Sequence, residues 1–215
     1  VGEENPFTLL IPDGEPSNEW GEKLASLPNT TIEKYTAGVG EIKADQINPH
    51  QDNVILAPGL ANPVDQVEAL KNLLETTGCQ LARIVTVVHC DFLEKHSKLS
   101  EWYGACIHFS DACLIRRGQD TTNQFVQNFI DHYKEKHFPC VFEPVPKKGV
   151  KNPGLIWEPQ ARRISLYFEP DEDHWVDENE EDDGWEQPAE DPFMAKQVNG
   201  NRQKPIPDIR TILGK

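Results

Sequence analysis

The chain has 215 residues, enough for one domain of ordinary size, a real core and an appendage. Its formal net charge is -15 with 37% hydrophobic residues, so it lacks the basic footprint that nucleic acid or an anionic membrane surface requires. No apolar run reaches the roughly 18 residues of a membrane-spanning helix, and no charged n-region precedes an apolar h-region, so no export signal is expected. A cytoplasmic protein is expected. Five cysteines, far apart at 79, 90, 106, 113 and 140, form no disulfide framework and fit a reducing compartment.

In chain order, "FTLLI" (7–11) predicts a short apolar strand closed by the turn Pro12-Asp13-Gly14. Asn18 is placed to cap a helix over roughly 19–27, with Trp20, Leu24 and Leu27 on one face. "TTIEKY" (30–35) has strand composition, and 36–52 reads as loop with a short helix near "KADQI". "NVILA" (53–57) predicts a buried strand. The helix after it has the clearest local grammar: Asn62 at the N-cap, Pro63 at N1, Asp65 and Glu68 at the positive end, Gly78 just past the C-terminus. Val64, Val67, Leu70 and Leu74 form its apolar stripe.

"ARIVTVVHC" (82–90) is the most strand-like run, followed by a helix around 97–109 and the strand "ACLI" (112–115). Thr121 or Thr122 caps a helix to about 136, with Phe125, Phe129 and Ile130 inward, and "PCVFEPV" (139–145) is the last core strand. Strands alternating with helices predict an α/β fold with an open, mostly parallel sheet of about five strands and helices on both faces. Residues 1–145 form that domain, 146–168 a hairpin through "EPQA", and 169–215 an extension. Thirteen acids and no Lys or Arg fall in 169–195, against five bases and one acid in 196–215. Trp175 and Trp185 in the acidic run are candidate anchors for a partner. The segment is expected to lie along the domain, with 205–213 docked as a short helix through Ile209, Ile212 and Leu213.

Three stretches at strand ends carry a family resemblance. "NVILAPGLANP" resembles the strand–turn–helix of the CobW-type metallochaperone GTPases, whose pattern runs "IETTGLADP". "ARIVTVVHCD" is similar to that family's next strand, ending "TVVDA", and "FSDACLIRRGQD" is similar to its guanine-reading strand "ADRIVLNKTD". Order and spacing agree over about 53–145. The resemblance implies a P-loop GTPase-like fold.

The motifs that would make it a GTPase depart from the pattern. A P-loop needs GxxxxGK[ST], so that backbone amides and the Lys hold phosphates and Ser/Thr holds magnesium. Here "PDGEPSNEWGEKLAS" has no Lys-Ser/Thr pair and adds Asp13, Glu15 and Glu19, which repel a triphosphate. The family's acid before "TTG" aligns with Leu56, the Asp of "TVVDA" with His89, and "NKxD" with Arg116, Arg117, Gly118 and Gln119; Asp120 restores the last only with one residue inserted. "YTAGVGEI" lacks the Cys-x-Cys-Cys zinc motif.

These departures imply a pseudo-GTPase, a non-catalytic module that binds a protein partner or a second copy. GTP and ATP are not expected to bind, and no cofactor is expected. The alternative is a metal carrier or enzyme with a rebuilt site at the strand ends. Candidate ligand-binding residues are Asp13, Gly14, Gly59, Asn62, His89, Asp91, Arg116 and Arg117. Arg116 and Arg117 either grip an anion or pair with the chain's own acids. His89, Cys90, Cys106, His108 and Cys113 are a metal set with a simpler rival reading, in which the cysteines are small core hydrophobes. Strand alternation also sends His89 and Cys90 to opposite faces. "DEDHWVDENEEDDGWE" lacks a Gly at the sixth position of a D-x-D-x-D-G calcium loop.

Overall fold

The structure, a computed structural model, describes residues 6–15, 23, 24, 26, 28–36, 43–146, 149–158, 160–169 and 190–214. Most of the helix expected over 19–27, most of "YTAGVGEI", and Trp175 and Trp185 with the acidic run around them lie outside the described residues. Among the described residues no helix is long and apolar enough to cross a membrane.

The strands are all parallel to their neighbours, as the alternating pattern predicts, but they form two three-stranded sheets and not one sheet of five. The first sheet holds β1 (Phe7–Pro12), β2 (Thr30–Tyr35) and β3 (Asp52–Ile55) in the order β2-β1-β3. Phe7 stands beside Thr30 on one side and Asp52 on the other. The central position of β1 explains its unbroken apolar run, with Leu9, Leu10 and Ile11 all buried. The second sheet holds β4 (Val85–His89), β5 (Ala112–Arg116) and β6 (Val141–Val145) in that order.

The break falls between β3 and β4, which both become edges. "NVILA" reads as a central strand, yet Val54 and Ile55 are only half-buried and Leu56 is 40% exposed. On β4 the alternation is clean: Val88 is fully buried, while Val85 and Val87 keep 39% and 48% exposure. The strand also begins at Val85 and not at Ala82: the Ile84 amide donates to the Asp111 carboxylate at 2.7 Å and not to a neighbouring strand.

What joins the sheets is α1 (Pro63–Thr77). Its Asn62 cap accepts from the Val64 amide at 3.0 Å, Pro63 opens it, and Gly78 closes it at φ 70°. Leu73, with Leu70 beside it, packs on Leu10, Tyr35 and Ile47 of the first sheet's core. Val64 and Val67 pack instead with Ala105 and Phe109, beneath the second sheet's strands. The buried stripe is therefore Val64, Val67, Ala69 and Leu73; Leu74, expected in it, is only half-buried. Two different partners on two sides rotate the buried face away from a single stripe.

On the second sheet, α2 (Cys90–Lys95), α3 (Leu99–His108) and α4 (Asn123–Glu135) follow β4 and β5. Val88, Cys113, Ile115, Tyr103, Ile107, Ile130 and Tyr133 make one core there. Cys90 begins a helix instead of ending a strand, and Thr122 caps α4 by accepting from the Phe125 amide at 3.1 Å. A short α5 (Gly154–Trp157) precedes residues 160–168, which have no regular secondary structure and turn at 167–168, and the expected hairpin is absent from the described residues. That run finds its partners elsewhere. The fully buried Asp111 accepts from the amides of Ile84 and Arg162, each at 2.7 Å, and pairs with Arg163 at 3.1 Å. The final α6 (Ile209–Leu213), capped by Asp208, docks as expected: Ile209 is buried, with Ile212 and Leu213 against the second core. Phe193, Met194 and Ala195, at the end of the acidic stretch, are buried too.

Candidate functional site at the carboxyl ends of the strands

In a sheet ordered β2-β1-β3 the chain leaves β1 for one neighbour and returns to the other. Ligands on such sheets bind at this reversal, beyond the carboxyl ends of β1 and β3. There the Pro12 carbonyl accepts from the Glu15 amide at 3.3 Å, and Gly14 supplies the positive φ of 87° that the turn requires. The Asp13 amide donates to the Tyr35 carbonyl at 2.8 Å, and Thr36 donates to the Asp13 carboxylate at 2.9 Å. The Tyr35 ring is buried, and its hydroxyl donates to the Leu56 carbonyl at 2.6 Å, linking the end of β2 to the end of β3 across β1.

Glu15 completes this closure. Its Oε1 accepts from the Gly59 amide at 3.3 Å, so a carboxylate of the chain stands on a backbone N–H that an anionic ligand would need. Burial, and after it the Glu15 charge, push the Tyr35 phenol up to about 12, which keeps it a donor at neutral pH. Of the predicted residues Asp13, Gly14 and Gly59 come together here, with polar groups already engaged by the chain. Tyr35 was missed; its one signal is an aromatic closing an otherwise polar edge strand. Asn62 lies on the same connection but directs its side-chain oxygen to the α1 cap.

The second sheet brings His89, Asp91 and Arg116 together. His89 and Arg116 are register partners on β4 and β5. Burial, then the Arg116 charge, lower the His89 pKa, with Asp91 opposing, so the ring is neutral at pH 7. The Arg116 side chain is exposed and has no hydrogen bond or ion pair among the described residues, whereas the Arg117 guanidinium turns to Asn123 at the start of α4. A Cβ on Gly118 would fall 2.3 Å from the Asp91 Cβ. Only glycine lets the loop after β5 close onto the first turn of α2.

The metal set does not assemble: among the described residues no three His, Cys, Asp or Glu side chains are placed to hold an ion. Cys90 and Cys113 are core residues, and all five thiols are free. Burial pushes the thiols of Cys90 and Cys140 up to about 11 and about 12, and raises those of Cys106 and Cys113 as well. Such thiols stay protonated and unreactive.

His108 belongs to a different group. Its Nε2 lies 2.8 Å from Asp191, whose carboxylate also accepts from Ser165 at 2.5 Å and from the Phe193 amide at 2.9 Å. Burial alone would raise the Asp191 pKa; the bonds from His108, Ser165 and the amide hold it below the usual value. The three residue types are those of a hydrolytic triad, but the carboxylate sits between the other two. Ser165 donates to Asp191 and not to the imidazole, so no base activates it. The group is a clamp for the end of the acidic stretch. Compared with protein-family models, with curated proteins and with solved structures, the chain matches none.

Proposed function

We propose that the chain is a non-catalytic pseudo-GTPase of the CobW type, a scaffold that serves as a protein-binding or regulatory module. The observation that carries the reading is the Glu15 carboxylate on the Gly59 amide, at the reversal point of the first sheet. A nucleotide entering there must displace Glu15, face Asp13, and do so without a P-loop lysine. Each like charge near a polyphosphate opposes binding. A protein-binding role is supported by β4, an edge strand whose Val85 and Val87 are partly exposed and which carries no Lys, Asp, Glu or Pro to deter pairing.

Calorimetric titration of the full chain with GTP or ATP in magnesium is expected to give no saturable heat. A dissociation constant in the low micromolar range would refute the reading. A rebuilt site at the ends of β4 and β5 is the second reading, favoured by the unpaired Arg116 beside a neutral His89. It requires a ligand whose affinity falls in Arg116→Ala.

A further inference from the structure

The segment after Asp191 folds back on itself above the amino end of α1. Lys196 and Arg202 form an antiparallel bridge, Gln197 donates its amide to the Asn201 carbonyl at 2.7 Å, and Gly200 turns the chain at φ 84°. Ion pairs strap this turn to α1: Arg202 reaches Asp65 at 3.1 Å and Glu68 at 2.6 Å, and Lys196 reaches Glu68 at 2.7 Å. Phe193 and Met194 anchor its start in the core with Val64 and Val67.

Between the strap and the helix lies a cleft of about 440 Å³, open to solvent, with Asn62, Gln197, Asn201, Lys204 and Pro205 exposed along it. Its polar wall comprises Asn62, Gln197, Asn201, Arg202 and Lys204, and its apolar wall Pro205 and Ile206. No Asp or Glu lines it, in a chain whose net charge is -15. Arg202 is neutralised by its two carboxylates, so its part is to shape the wall. Lys204 has no carboxylate partner among the described residues; its Nζ lies 4.0 Å from the centroid of the Phe193 ring, a cation–π contact that an anion would share or replace. Asn62 gives its oxygen to the Val64 amide, which leaves its NH2 as a donor. The side chains of Gln197 and Asn201 make no hydrogen bond among the described residues, so their amides are available as well.

We propose that this cleft binds a small organic oxyanion, a carboxylate or phosphate ester carrying an apolar group. The charged end meets Lys204 and the three side-chain amides, and the apolar group lies on Pro205 and Ile206. The volume falls within the roughly 300–1,000 Å³ of small-molecule sites and exceeds what a bare ion fills. The site does not depend on the pseudo-GTPase reading, because its donors come mainly from the strap and not from the β1–β3 crevice.

The test is a titration of the isotopically labelled full chain with phenyl phosphate, benzoate and inorganic phosphate, followed by amide chemical shifts. Saturable shifts confined to residues 62–66 and 197–206 are expected with at least one of the two aromatic anions; the tighter of them identifies the charged group. Lys204→Gln, which keeps the stem and removes the charge, is expected to weaken binding about tenfold, the loss of one charge-assisted hydrogen bond. Lys204→Arg is expected to retain most of the affinity. The proposal is overturned if neither aromatic anion gives saturable shifts there, if Lys204→Gln binds as tightly as the parent, or if inorganic phosphate binds as well as phenyl phosphate.

Discussion

The two sheets are built alike and finished differently. Each has three parallel strands, yet the first closes its carboxyl end with its own Tyr35 and Glu15, while the second leaves Arg116 exposed. At their other ends the contrast reverses. The second sheet is pinned by the buried Asp111, which holds the start of β4 and the 162–163 segment through charge-assisted bonds. The first has no buried carboxylate among the described residues, and its core of Leu10, Tyr35, Ile47 and Leu73 is apolar. At the carboxyl end of the first sheet, Asp13, Tyr35 and Glu15 are each engaged by the chain's own groups.

The sharpest way to break the comparison is Asp111→Ala. It leaves Arg163, only 5% exposed, without its buried partner and strips two amides of their acceptor. A loss of about 3–5 kcal/mol is expected in denaturant titration. A loss within a few tenths of a kcal/mol would mean that the second sheet does not depend on this ion pair. Next comes Leu73→Ala, which empties the centre of the first sheet's thin core and is expected to cost about 2–5 kcal/mol. Leu70→Ala, at a half-buried position on the same helix, is expected to cost measurably less, and equal losses would relocate the buried face of α1.

The smallest effects test whether the helices are started in the same way on both sides. Asn62→Ala at α1 and Thr122→Ala at α4 each remove one side-chain acceptor from a first-turn amide. Each is expected to cost about 1 kcal/mol. If Asn62→Ala costs nothing while Thr122→Ala does, the amino end of α1 is held by the Arg202 strap and not by its cap.

Signals local in sequence carried most of the elements. The Asn-Pro start and Gly stop of α1, the Asp-Gly turn after β1, the Thr cap of α4 and the docking of 209–213 all follow from contacts a few residues apart or from apolar spacing. The misses share a cause. The 163–168 run has the composition of a strand, but the amide of Arg162 just before it goes to the Asp111 carboxylate and that of Ser165 to the His108 carbonyl, both more than fifty residues earlier in the chain. "NVILA" is apolar enough for a central strand; whether a second neighbour pairs with it is decided by where β4 lies, and among the described residues β4 pairs only with β5.

The candidate site divides the same way. The absence of a P-loop lysine and the acids beside the first turn can be read directly from residue identity, since charge is a property of each side chain wherever it lies. The meeting of Glu15 with Gly59, of Tyr35 with Leu56, and of Arg202 with Asp65 joins residues separated by 44, 21 and 137 positions. No local propensity encodes such pairs. They arise only when packing of α1 and the return of the C-terminal strap bring distant polar groups within hydrogen-bond reach, where each buried donor must find an acceptor.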